Sequence, residues 1–112
     1  MKQGYVYIMS NHSRSTLYIG VTSNLERRIL EHKSSTGSKF TTHYHLTDLL
    51  YYEPVEGMEN AIRREKQLKA WHREWKWTLI NAENPDLKDL SVGWFTEKEI
   101  QEYSRNANGP SP

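Results

Sequence analysis

Gly4-Tyr5-Val6-Tyr7-Ile8-Met9 and, after a polar interval from Ser10 to Thr16, Leu17-Tyr18-Ile19-Gly20-Val21 decide how this chain folds. Each run is rich in β-branched and aromatic residues and reads as a strand, so residues 1–21 read as a hairpin. Alternation assigns the faces. Val6 and Ile8 share one side of the first strand, Tyr5, Tyr7 and Met9 the other. Leu17, Ile19 and Val21 share one side of the second, Tyr18 and Gly20 the other. With the aliphatic faces on the core, Tyr7 and Tyr18 meet on the opposite face. Gly20 beside Tyr18 leaves room for a close approach to the backbone, although Tyr is also simply a good strand residue.

Downstream of the hairpin, Ser23-Asn24-Leu25-Glu26 has capping-box spacing, with Ser23 as N-cap. The helix it opens runs to His32 or Lys33. Leu25 and Ile29 mark its buried stripe, Arg28 and His32 border that stripe, and Arg27 is placed to pair with Glu31 on the solvent side. Ser34 to Ser38 reads as a loop. Leu46 to Glu53 reads as a third strand closed by Pro54. A second helix spans Gly57 to Ala70 with Met58, Ala61, Ile62 and Leu68 on its apolar face. Glu65 falls within that face, where a carboxylate needs a partner: a cation, a metal or an inward Arg. A third helix covers Arg73 to Ala82 and is broken at Asn84-Pro85-Asp86. Thr96 and Glu99 form another capping box for a short helix to Arg105, before a frayed end, NANGPSP.

The order β-β-α-β-α-α predicts an α+β fold, a small, mainly antiparallel three-stranded sheet flanked by helices. Residues 1–82 form the expected domain and 83–112 an acidic C-terminal extension.

Composition narrows the function. The 112 residues contain no Cys, which excludes disulfides and Cys-based zinc sites. No run approaches the ~18 apolar residues of a membrane span, and the N-terminus lacks a secretory h-region, so a cytoplasmic protein is expected. Residues 1–80 carry 12 Lys and Arg against 8 Asp and Glu, residues 81–112 carry 3 against 6, and the total is only +1. A mildly basic body with an acidic tail permits nucleic-acid binding without requiring it.

Tyr5-Val6-Tyr7, then Tyr18-Ile19-Gly20, then Arg28, then Ala61, Glu65, Leu68 and Lys69 in a helix resemble the motifs of the GIY-YIG nuclease superfamily. The likeness spans residues 3–80 and is nearest to the small single-domain members, where segments like Phe40–Tyr44 and Asn84–Leu90 also recur. Tyr5 and Val6 depart from the founding Gly and Ile, while Tyr7 keeps the position with chemistry. The resemblance implies a divalent-metal-dependent endonuclease hydrolysing phosphodiester bonds in DNA, in repair or recombination, with little sequence preference. It implies Glu65 as ligand to Mg²⁺ or Mn²⁺, Arg28 on the phosphate, and one of Tyr7 and Tyr18 as general base, with Tyr7 favoured. The base tyrosine would need nearby cations to lower its pKa. His32 is placed to relay a proton or touch phosphate, or simply to meet the helix dipole.

Lys33, Lys39, Lys69, Arg73 and Lys76 are candidate contacts to the DNA backbone. Trp71, Trp75 and Trp77 are candidates for base stacking, although Trp71, Trp75 and Leu79 at i,i+4 spacing also suit a core. His43 and His45 have the spacing of a two-ligand strand chelate but no third ligand. Family nucleases such as phage homing enzymes and the excinuclease C subunit carry a separate targeting module. This chain shows none, which suggests a targeting protein partner or the alternative of a nucleic-acid-binding or adaptor module with little turnover.

Overall fold

The computed structural model describes residues 2–34 and 43–108. Three strands, β1 (Gln3–Ser10), β2 (Leu17–Thr22) and β3 (Asp48–Glu56), form one antiparallel sheet in the order β2-β1-β3. The helices of the described residues are α1 (Leu25–Lys33), α2 (Met58–Ala70), α3 (Arg73–Glu83) and α4 (Glu97–Asn108). The α+β class and the antiparallel sheet are as the sequence predicts.

The central strand β1 is covered on both faces, so the expectation of one aliphatic core face gives way to two cores. Val6, Ile8, Ile19, Leu50 and Tyr51 pack with Ala61, Leu68 and Ile80 of α2 and α3. Tyr7, Met9 and Leu49 pack with Leu25 and Ile29 of α1 and with Leu46. Sequence alternation sorted these side chains correctly. It did not show that a second helical layer covers the tyrosine face. Gly4 lets α2 lie close against β1: a Cβ there would stand 2.6 Å from the Ala61 Cβ.

Strand β3 starts later and ends later than predicted. Pro54 does not close it but pairs opposite Tyr5. Proline is tolerated because β3 is an edge, where no further strand needs its missing N–H. Between Ile8 and Met9 the register skips Leu50, and this bulge turns Leu50 and Tyr51 toward the same core.

Helix α1 is capped by Asn24 rather than Ser23, the Asn24 side chain accepting from the Arg27 N–H at 3.1 Å. The predicted box at Thr96 forms reciprocally, Thr96 N–H to Glu99 and Glu99 N–H to the Thr96 hydroxyl, both 3.1 Å. Helix α4 continues through Asn108, past the end predicted at Arg105.

The acidic segment after α3 is bonded to the body. Asn84 is buried and its Nδ2 donates to the carbonyls of Leu50 and Lys88. Asp89 accepts from Lys33 Nζ at 2.7 Å, from the Leu49 N–H at 3.0 Å, and from the N–H and hydroxyl of Ser91. These bonds hold the carboxyl below the usual carboxylate range against the opposing effect of burial.

Candidate active site

Tyr7 and Tyr18 reach the same face because β1 and β2 pair antiparallel, with Tyr7 opposite Gly20 and Met9 opposite Tyr18. The space at Gly20 is filled from within: a Cβ there would lie 2.4 Å from both Cζ and Oη of Tyr7. The glycine is required by the Tyr7 ring crossing it, not by an external ligand. Tyr7 is 2% exposed.

His32 completes a three-ring cluster from the last turn of α1. Its ring centroid is 5.6 Å from Tyr7 and 5.8 Å from Tyr18, and the two tyrosines are 6.4 Å apart. His32 Nε2 and the Tyr7 hydroxyl are hydrogen-bonded at 3.2 Å. Burial, then the Arg28 charge, lowers the His32 pKa to about 4, while the Leu46 backbone carbonyl pulls the other way. The ring is therefore neutral near pH 7. Its Nδ1 has no hydrogen bond of good geometry among the described residues, so the Leu46 effect is weak. In its Nδ1–H tautomer the neutral ring accepts at Nε2 and Tyr7 donates.

Burial also raises the Tyr7 pKa, with Tyr18, Glu31 and Glu65 adding to it and Arg28 opposing. The expectation of a lowered pKa is thus not met by the chain's own charges, because desolvation outweighs the one cation that acts on it. Arg28 and Glu65 nevertheless both lie within electrostatic reach of Tyr7. Arg28 is 44% exposed on its side chain and pairs with Glu31 at 3.3 Å. This replaces the predicted Arg27–Glu31 pair. Glu31 also accepts from the Tyr103 hydroxyl at 3.2 Å, which ties α4 to the site. Sequence reading treated Glu31 as a surface charge; its i,i+3 spacing from Arg28 was the signal for this role.

Glu65 is 14% exposed on its side chain and is paired with Lys69 at 3.2 Å. Ala61 and Leu68 are buried beside it, whereas Ile62, expected on the same face, is 39% exposed. The inward arginine considered as its partner goes elsewhere: Arg64 Nε binds Glu53 at 3.1 Å. Among the described residues no group of three or more His, Cys, Asp or Glu is arranged to hold a metal. A single hard-oxygen carboxylate suits Mg²⁺ or Mn²⁺, which keep waters and take phosphate oxygens, and does not suit a zinc cage.

The basic candidates divide. Lys69, Lys76 and Tyr18 line one shallow groove of about 260 Å³. Lys33 is committed to Asp89 and to the Thr47 carbonyl, with its side chain only 15% exposed. Arg73 donates to the Ser15 carbonyl at 2.9 Å and lies over Trp77. Lys39 lies outside the described residues. His43 is helical and His45 lies in a turn, both exposed and neither in a strand, so the alternation argument for a chelate fails. Trp71, Trp77 and Leu79 pack on the core, whereas Trp75 is 53% exposed.

Comparison with known proteins accords with this geometry. Residues 3–79 match the GIY-YIG catalytic domain family. A UPF0213 protein of Syntrophus aciditrophicus is 38% identical over 87 residues, 77% of this chain and 98% of that one. One of Clostridium perfringens is 38% identical over 96 residues, 86% of this chain and 96% of that one. The solution NMR structure of a UPF0213 protein from Bacillus halodurans, 27% identical, covers 81% of this chain and 97% of its own with a TM-score of 0.50.

Proposed function

Because this chain belongs to the GIY-YIG catalytic domain family, we propose that it is a divalent-metal-dependent endonuclease that hydrolyses phosphodiester bonds in DNA with little intrinsic sequence preference, in repair or recombination. The observation that carries this reading is the cluster of Tyr7, Tyr18 and His32, with Arg28 and Glu65 acting electrostatically on Tyr7. Structural burial alone would not bring an arginine, a carboxylate, an imidazole and two phenols to one place.

Glu65 would hold the cation, and Lys69 would have to release the carboxylate. When bound, Mg²⁺ or Mn²⁺ supplies Lewis-acid polarisation of the phosphate and stabilisation of the leaving oxygen. Arg28, exposed and paired with Glu31, donates to the non-bridging oxygens. The attacking water gives its proton to the Tyr7 hydroxyl oxygen while the Tyr7 proton passes to His32 Nε2 along the 3.2 Å bond. This relay needs no standing phenolate, in accord with the raised Tyr7 pKa. Substrate phosphate on Arg28 offsets the second cause of the His32 depression and so improves the acceptor. Tyr18 orients phosphate or water. Lys69 and Lys76 contact the backbone of the bound strand without reading sequence.

The test is a panel of plain, flapped and branched DNA incubated with wild type and Glu65→Ala, in Mg²⁺ or Mn²⁺ and in EDTA. Cleavage by wild type with metal, absent in EDTA and in Glu65→Ala, is the expected result. Binding without cleavage on every substrate supports the adaptor reading instead.

A further inference from the structure

A concavity lies away from the tyrosine–histidine cluster, at the other end of α1. It has a volume of about 600 Å³ and is lined by Tyr5, Tyr52 and Trp94 together with Lys2, Glu26 and Arg27. Tyr52 is 40% exposed and meets Trp94 at a centroid distance of 6.1 Å and an angle of 74°, so the two rings form an open V. Trp94 is placed there by the segment that follows α3. Asp89 anchors that segment to Lys33 and Leu49, Gly93 turns at φ 86°, and the Trp94 N–H bonds the Ser91 carbonyl at 3.1 Å.

We propose that this cleft binds an unpaired nucleobase of the DNA strand being cleaved, and that it gives the enzyme a preference for single-stranded or extruded nucleotides beside the scissile bond. The proposal rests on the nuclease reading of the site. Three features of the cleft lead to it. Partly exposed aromatic walls offer π-surface that duplex DNA cannot use, since paired bases present only their edges in the grooves. Lys2 and Arg27 outnumber Glu26 in the lining, which complements a phosphodiester on either side of the base. Finally, the cleft lies on the same face of the sheet as the candidate site: Tyr52 stands directly opposite Tyr7, and Tyr5 lies two residues from Tyr7 along β1. Along α1, Leu25 at the cleft and His32 at the site are separated by ~10 Å of helix rise, a reach of about three stacked base steps or fewer of an extended strand. The acidic extension thereby acquires a function through Trp94 rather than through its charge.

The experiment is tryptophan-fluorescence and anisotropy titration, in EDTA, with a labelled single-stranded oligonucleotide and with the same oligonucleotide as a blunt duplex. Wild type, Tyr52→Ala, Trp94→Ala and Trp75→Ala are compared. Single strand is expected to bind about tenfold tighter than duplex. Tyr52→Ala and Trp94→Ala are expected to lose about that factor on single strand alone, while Trp75→Ala keeps it. Tyr52 is exposed enough to replace without unfolding, so it decides the matter if Trp94→Ala is unstable. Equal binding of both forms, or full single-strand affinity in Tyr52→Ala, overturns the cleft proposal and leaves the nuclease reading standing if metal-dependent cleavage persists. No binding and no cleavage of any DNA overturns both.

Discussion

Gly20→Ala isolates the packing that builds the site. A Cβ at this position would stand 2.4 Å from Cζ and Oη of Tyr7 and 2.9 Å from Cε1. Ordinary carbon contacts are ~3.5–4.0 Å, so the Tyr7 ring must move by about 1 Å. It has nowhere free to go, being buried against Tyr18 and His32. Overpacking of this kind costs about 1–3 kcal/mol. The 3.2 Å bond from Tyr7 to His32 Nε2 lengthens beyond hydrogen-bond range, and a 1 Å misplacement of a reacting group lowers turnover by about 10²-fold. A double-mutant cycle with Tyr7→Ala makes the reasoning sharper. With the ring gone, the three atoms nearest the new Cβ go with it and Gly20 has no positive φ to protect, so the strand is expected to gain ~0.5–1 kcal/mol from alanine. The same substitution should therefore destabilise wild type and stabilise Tyr7→Ala, as read from urea denaturation midpoints. A similar loss in both backgrounds, or wild-type stability and cleavage in Gly20→Ala, refutes the account of why glycine stands here.

His32 makes acid stability a second readout. Its folded pKa of about 4 lies below the ordinary 6.5, so the unfolded chain takes up the proton first; the stabilisation is full above pH ~6.5 and up to about 3 kcal/mol is lost as pH falls to 4. Unfolding free energy measured from pH 7 to 4 should fall more steeply for wild type than for His32→Gln, and equal slopes would mean that the ring is not held neutral. Lys33→Ala strips a charged donor from Asp89 and should cost about 2 kcal/mol without altering the salt dependence of DNA binding. Lys76→Ala should leave the urea midpoint unchanged while reducing the salt slope by ~0.9; a reversed pattern would exchange the structural and phosphate roles of these two lysines.

Much of this was legible in the chain because strand periodicity is a local property. Alternation placed Tyr7 and Tyr18 on one face, and helical spacing put Arg28 and His32 on the border of α1 and Glu65 beside Leu68. What escaped reading depends on partners distant in sequence. The second core exists because α1 folds over the tyrosine face, which no periodicity in residues 3–22 announces. Pro54 looked like a terminator because edge position is a property of the sheet, not of the strand. Lys33 looked like a surface cation until Asp89, far along the chain, took its charge. The aromatic cleft needed Tyr5, Tyr52 and Trp94 from three separate segments, and only the folded chain brings them together.

The claim at the centre of this account is that the Tyr7 hydroxyl moves the proton of the attacking water toward His32. Single-turnover cleavage of an end-labelled DNA by wild type and Tyr7→Phe, at one pH and one metal concentration, tests it directly. The ring stays in place in the variant, so the fold and its circular dichroism should persist while the cleavage rate falls by about 10²–10⁴-fold. Cleavage by Tyr7→Phe at the wild-type rate would contradict it.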